Sequence, residues 1–180
     1  SVTNAEGNDS FDFDLLVTAG PRPWMQFKYD QGNSGRVPFP GATVGEELWN
    51  FPSGATIYGC VVFGLDGTLY FGNEAGNFYA LNPDGSQQWM LPLGYKIETS
   101  ALVAPNGDIF VASDELYCVA PDGTMRWHNP AGGGGYHNPP NLRPDGNILC
   151  AGVVISPAGE TPWYYPNPGQ WGGGVALAAD

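Results

Sequence analysis

Four tryptophans stand in a column in this chain. Trp49, Trp89, Trp127 and Trp163 follow one another at intervals of 40, 38 and 36 residues. Eight or nine positions after each comes a large apolar residue: Ile57, Ile97, Tyr136 and Trp171. Nine positions further on, every time, stands a turn residue: Asp66, Asn106, Asp145 and Asp180. A fixed period of this length marks a chain made by stacking copies of one small unit. Such a unit cannot bury its own apolar faces, so its copies must cover one another.

The inside of the unit is equally regular. Asp66-Gly67-Thr68-Leu69-Tyr70 aligns with Asn106-Gly107-Asp108-Ile109-Phe110 and with Asp145-Gly146-Asn147-Ile148-Leu149. Asp-Gly or Asn-Gly between apolar runs is a strong hairpin signal, because a two-residue turn needs positive φ at both central positions. The shared offset therefore predicts two-residue-type hairpins at Gly67, Gly107 and Gly146. A second turn reads Asn82-Pro83-Asp84-Gly85, then Ala120-Pro121-Asp122-Gly123, then Ser156-Pro157-Ala158-Gly159. The next tryptophan follows four residues after each of these glycines. In the first unit, strands are expected near Thr56–Phe63, Thr68–Asn73, Asn77–Asn82 and Gln87–Leu91. Four short antiparallel strands make a small twisted sheet that is marginal alone. Copies stacked around an axis make an all-β fold, a β-propeller of four-stranded blades. The units run 49–88, 89–126, 127–162 and, in part, 163–180. Composition agrees. With 27 Gly and 17 Pro in 180 residues, long helices are excluded. With 42% hydrophobic residues, so is a disordered chain.

The pattern resembles the PQQ-like repeat of the quinoprotein propeller superfamily. The stretch from Ile57 to Trp89 carries the resemblance best, and the stretch from Ile97 to Trp127 nearly as well. The third copy is degenerate in its middle strand pair. The lead-in, residues 23–48, contains Pro23-Trp24-Met25-Gln26-Phe27 and Asn33-Ser34-Gly35-Arg36 and is similar to what precedes the first blade in that superfamily. Residues 1–22 form a separate N-terminal arm. The resemblance implies roughly seven or eight blades, so the set of blades here reads as incomplete. The fourth unit reaches Asp180, where the repeat asks for a glycine next. Either the chain is part of a longer one, or its last blade is short and divergent, or the missing strands come from another chain or from the arm. In the arm, Phe11, Phe13, Leu15 and Val17 mark a candidate closing or donor strand.

Charge narrows the function classes. Six Lys and Arg face 18 Asp and Glu, a net charge of −12. That offers no basic surface to a nucleic acid or to an anionic membrane. No apolar run approaches the roughly 20 residues of a membrane span. Low lysine content, a pI near 4.2 and a start at Ser1 point to an extracellular or periplasmic protein. Cys60, Cys118 and Cys150 each lie in an apolar run, and are expected to be buried and unbonded.

The resemblance also brings a chemical template. Quinone-dependent dehydrogenases of the superfamily need a catalytic Asp, a calcium held by Glu, Asn and Asp, and a Trp floor, and usually have a vicinal cysteine pair. No positions here carry that pattern over, so no catalytic residue, metal site or cofactor is expected. His128 and His137 read as loop-surface residues, with no carboxylate at a fixed spacing. The glycine run before Tyr136 lacks the Lys-Ser/Thr of a phosphate loop and reads as a connection between blades. Asp12/Asp14, Glu46/Glu47 and Asp114/Glu115 read as solvated acids. The recurring Trp49, Trp89, Trp127, Trp163, Tyr70, Phe110, Tyr79 and Tyr117 are expected to pack between blades. The expected role is therefore a non-enzymatic, secreted protein-binding or scaffolding propeller. A similar repeat type builds the lipoprotein of the bacterial outer-membrane assembly machine. Its partner would be another protein or further copies of itself. The alternatives are a self-assembling extracellular subunit and a fragment of a quinoprotein-like enzyme.

Overall fold

The computed structural model describes residues 48–132 and 138–164. They form three four-stranded antiparallel sheets, each a simple meander. The first contains β1 (Val62–Phe63), β2 (Leu69–Gly72), β3 (Asn77–Leu81) and β4 (Gln87–Pro92). The second contains β5 (Leu102–Val103), β6 (Ile109–Ala112), β7 (Leu116–Val119) and β8 (Met125–Asn129). After one 3-10 turn (Pro130–Gly132), the third contains β9 (Asn141–Leu142), β10 (Ile148–Cys150), β11 (Val153–Ile155) and β12 (Trp163–Tyr164). Trp89, Trp127 and Trp163 lie on the last strand of a sheet, so each sheet closes, rather than opens, on its tryptophan.

The two middle strands of each of the first two sheets are buried on both faces, which explains their unbroken apolar runs. Tyr70, Phe78 and Ala80 of the first sheet meet Ile109, Val111, Tyr117 and Val119 of the second. The alternate residues of the second sheet, Phe110, Ala112, Leu116 and Cys118, meet Ile148, Cys150, Val153 and Ile155 of the third. On the outer face of the first sheet, Leu69, Phe71, Tyr79 and Leu81 pack under Trp49, Phe51 and Ile57. The core is thus a row of seams between sheets, as a period-2 strand demands when both its faces are covered.

The innermost strand is much shorter than expected: β1 starts at Val62, not Thr56. The preceding residues serve the neighbouring sheet instead. The Cys60 N–H donates to Ser100 Oγ at 2.9 Å. A Cβ on Gly59 would lie 2.4 Å from the Thr99 carbonyl oxygen. Cys60 is therefore exposed, against expectation.

The turns sit where the glycines were expected, but their type differs. In the first, Gly64 N–H donates to Thr68 O and Gly67 N–H donates back to Gly64 O. The same pair of bonds closes the turns beginning at Asn82, Ala104, Ala120, Arg143 and Ser156. In each, only the glycine has positive φ, between 82° and 88°. That is a three-residue loop, a type I turn followed by a left-handed glycine bulge. The Asp or Asn before the glycine remains right-handed, and its Oδ1 accepts the N–H two residues on, as Asp66 does from Thr68 at 3.0 Å. Ala158 cannot do this, and Ser156 Oγ accepts the Glu160 N–H in its stead. The turn with positive φ at both centres is Ala151-Gly152, at 50° and 80°, joining β10 to β11.

Candidate functional site

The sheets are joined by the tryptophan column. Trp89 leaves β4 and donates its indole N–H to the Pro121 carbonyl of the next sheet at 2.8 Å. Trp127 does the same to Pro157 at 3.0 Å, and Trp49 to Pro83 at 3.0 Å. Each ring lies on the glycine of that turn. A Cβ on Gly85 would stand 2.6 Å from Trp49 Cδ2, and one on Gly123 3.0 Å from Trp89 Cδ2. Gly85 and Gly123 thus combine a required left-handed φ with a required absence of side chain. Gly67, Gly107 and Gly146 share the φ but have more room; nothing lies within 4 Å of a Cβ at Gly146. Tyr70 packs against Trp89 at 5.9 Å and Phe110 against Trp127 at 5.8 Å between ring centroids. Tyr79 lies against Phe71 at 5.3 Å. These aromatic side chains are occupied within the seams.

The first and third turns of every sheet lie at the same end of it, so they share one face of the molecule. There, between the second and third sheets, a groove of about 410 Å³ opens. Phe110 and Leu142 floor it, and Pro105, Pro144 and Pro157 wall it. Arg143 is its one charged lining residue, held to Asp145 at 3.0 Å. On this turn face, the first blade exposes Asp66 and Asp84, and the two blades that border the groove expose Asp122, Asp145 and Glu160. Hydrogen bonds within the turns hold the carboxyls of Asp84 and Asp122 below the usual range. The Arg143 guanidinium and the Asn147 N–H bring Asp145 down to about 2. These three carboxylates stay ionised further into acid than an ordinary aspartate.

The remaining candidates fall elsewhere. Cys118 and Cys150 are buried in the second seam, and burial pushes both thiols up to about 12. The three cysteines are unbonded. His128 lies on β8, not in a loop, stacked on Tyr117 with 6.0 Å between ring centroids. Its Nδ1 pairs with Glu115, a carboxylate that cross-strand pairing, not sequence spacing, brings to it. The neighbouring Asp114 accepts the Tyr117 hydroxyl at 2.8 Å. A contact that sequence reading missed is Arg126–Asp108, at 2.7 Å. Asp108 is buried just after a turn glycine, and Arg126 sits at the bulge between β7 and β8. Gln88 sits at the matching bulge of the first sheet and reaches Thr68, the matching partner, at 3.1 Å. Among the described residues, no group of three or more His, Cys, Asp or Glu is placed to hold a metal ion. Phe11, Phe13, Leu15, Val17, His137 and the acid pairs Asp12/Asp14 and Glu46/Glu47 lie outside the described residues.

No protein-family profile matches the chain, and no curated protein matches it. Solved structures do. BamB from Moraxella catarrhalis superposes with a TM-score of 0.57 at 15% identity, over 86% of this chain and 49% of that one. The quinohemoprotein alcohol dehydrogenase of Comamonas testosteroni gives 0.59 at 13% identity, over 79% and 27%. A streptogramin B lyase gives 0.50 at 15% identity, over 89% and 74%. The chain thus spans about half the length of BamB. At these identities the likeness concerns the fold. Three meander sheets, joined face to face by tryptophans, give the described residues the β-propeller fold, with three blades.

Proposed function

We propose that this chain is part of a non-catalytic, protein-binding propeller of an extracellular or periplasmic protein. The groove between the second and third blades is the observation that carries this reading. It is apolar, walled by proline, and its one charged side chain is already paired. Such a surface accommodates an apolar side chain. It offers no acid–base pair or nucleophile for turning over a substrate. The strong negative charge of the chain supports a location outside the cytoplasm and a partner recognised by charge as well as by shape.

The test is chemical crosslinking of the intact protein in its native setting, with identification of what is captured and of the crosslinked residues. A specific protein captured through the turn face is the expected result. Capture of nothing but further copies of the chain would replace this reading with self-assembly. An enzyme reading is tested separately, by adding pyrroloquinoline quinone with calcium and following dye-linked oxidation of alcohols and sugars. No turnover above a protein-free control is expected, and measurable turnover would overturn the non-catalytic assignment.

A further inference from the structure

We infer that the groove between the second and third blades receives an apolar side chain from a basic segment of a partner protein. This rests on the protein-binding reading and adds to it a place and a ligand chemistry. The first observation is that this seam is open where the preceding one is plugged. Tyr70 and Phe110 occupy the same register position, opposite Val62 and Leu102. The Tyr70 ring reaches beneath the first turn, 3.3 Å from where a Cβ on Gly64 would be, with its hydroxyl bonded to Thr68. Phe110 has no hydroxyl to reach as far, and a cavity of about 410 Å³ stands above it. Its floor of Phe110 and Leu142 is apolar, and the lining side chains of Asn106 and Arg143 are already bonded to Asp108 and Asp145, so the site favours an apolar group.

The second observation is charge. The turns of the second and third blades, which border the groove, expose three carboxylates: Asp122, Asp145 and Glu160. The two cations near them, Arg126 and Arg143, are each bound to an aspartate. A segment with Lys or Arg flanking its apolar anchor is complementary to that rim, and an acidic one is repelled. The same charge argues against a second copy of the chain as occupant, since each copy carries −12. The bonding that holds Asp122 and Asp145 in their ionised form keeps the rim anionic in mildly acid surroundings.

The experiment uses the intact protein and three fluorescein-labelled probes. These are the peptides Lys-Lys-Leu-Phe-Lys-Lys, Glu-Glu-Leu-Phe-Glu-Glu and Lys-Lys-Gly-Gly-Lys-Lys. Anisotropy gives affinity, and a benzophenone in place of the phenyl ring maps the contact. The first peptide is expected to bind saturably, the other two at least tenfold more weakly. Crosslinks should fall on the turns of Pro105, Pro144 and Pro157. Pro105→Arg and Pro144→Arg, on opposite walls, should each weaken binding at least fivefold. Leu65→Arg, at the matching position of the first blade, should leave it unchanged. Two wall variants guard against one of them perturbing its turn. Absence of binding by the first peptide, equal binding by the acidic one, or equal effects of Leu65→Arg and both wall variants would overturn the inference. Crosslinks confined to other surfaces would overturn it too, while leaving the protein-binding reading to be judged by capture of the native partner.

Discussion

Five of the six turns on the groove side carry proline just after their first residue: Pro83, Pro105, Pro121, Pro144 and Pro157. The sixth carries Leu65, half exposed. Proline is pre-set for that position of a type I turn, so Leu65→Pro should stabilise by about 0.4–1 kcal/mol, mainly by restricting the unfolded chain. A higher urea midpoint with unchanged m-value would show it, and a lower midpoint would refute it. Ala151 presents the opposite case. It is the one non-glycine residue at positive φ among those described, at 50°, a conformation that costs an L-residue about 1–2 kcal/mol. Ala151→Gly should therefore gain about 0.5–1 kcal/mol, measured in the same way. The two sites also show what was legible. Asp-Gly and Asn-Gly located the turns correctly, but a two-residue turn and a bulged three-residue turn both require glycine. The signal could not separate them. The true two-residue turn was invisible because alanine gives no hint of positive φ.

At the scale of elements, the middle strands were readable because two buried faces leave an uninterrupted apolar run. The innermost strand was not, because Ile57 packs on the outer face of its own sheet and Gly59 and Cys60 lie against the next blade, rather than in pairing. Cys60 went with it, from expected burial to exposure. Least legible was the bulge on the outermost strand, which turns Arg126 across the sheet onto Asp108. The equivalent Gln88 reaches Thr68 and Asn82. The two sites share geometry and differ in charge, so they should differ in sensitivity. Arg126→Ala strands a buried carboxylate, with Asn106 its remaining side-chain partner, and should cost about 1–3 kcal/mol. Gln88→Ala breaks neutral bonds at a wetter site and should cost about 0.5–1.5 kcal/mol. Adding Asp108→Asn to Arg126→Ala should restore part of the loss in urea unfolding. If the double variant is no more stable than Arg126→Ala, the buried charge is not what Arg126 compensates.

At the scale of the molecule, the period of the tryptophans was enough to read stacking, because a unit with two apolar faces has no other stable arrangement. The order of contacts around each seam was not in the sequence. It arises from the docking of each indole on the following blade, which ties an outer strand to a turn about thirty residues on. A seam is therefore a unit that opens as a whole. The second seam contains its own reporters: Cys118 on one side and Cys150 on the other, with Trp127 locking its outer end. Thiolates react and thiols do not, and both buried thiols are held near 12, so labelling must await opening. In the native protein Cys60 should label at once, and Cys118 and Cys150 slowly and in step. Removing the half-buried indole by Trp127→Ala should cost about 2–3 kcal/mol. That speeds labelling of both slow thiols by roughly 30–140-fold, since each 1.4 kcal/mol is about tenfold. Trp49→Ala acts two seams away and should change neither by more than about threefold. Should Cys118 and Cys150 respond to Trp127→Ala by factors that differ more than tenfold, the seam is not one opening unit. The blades would then be held strand by strand rather than face to face.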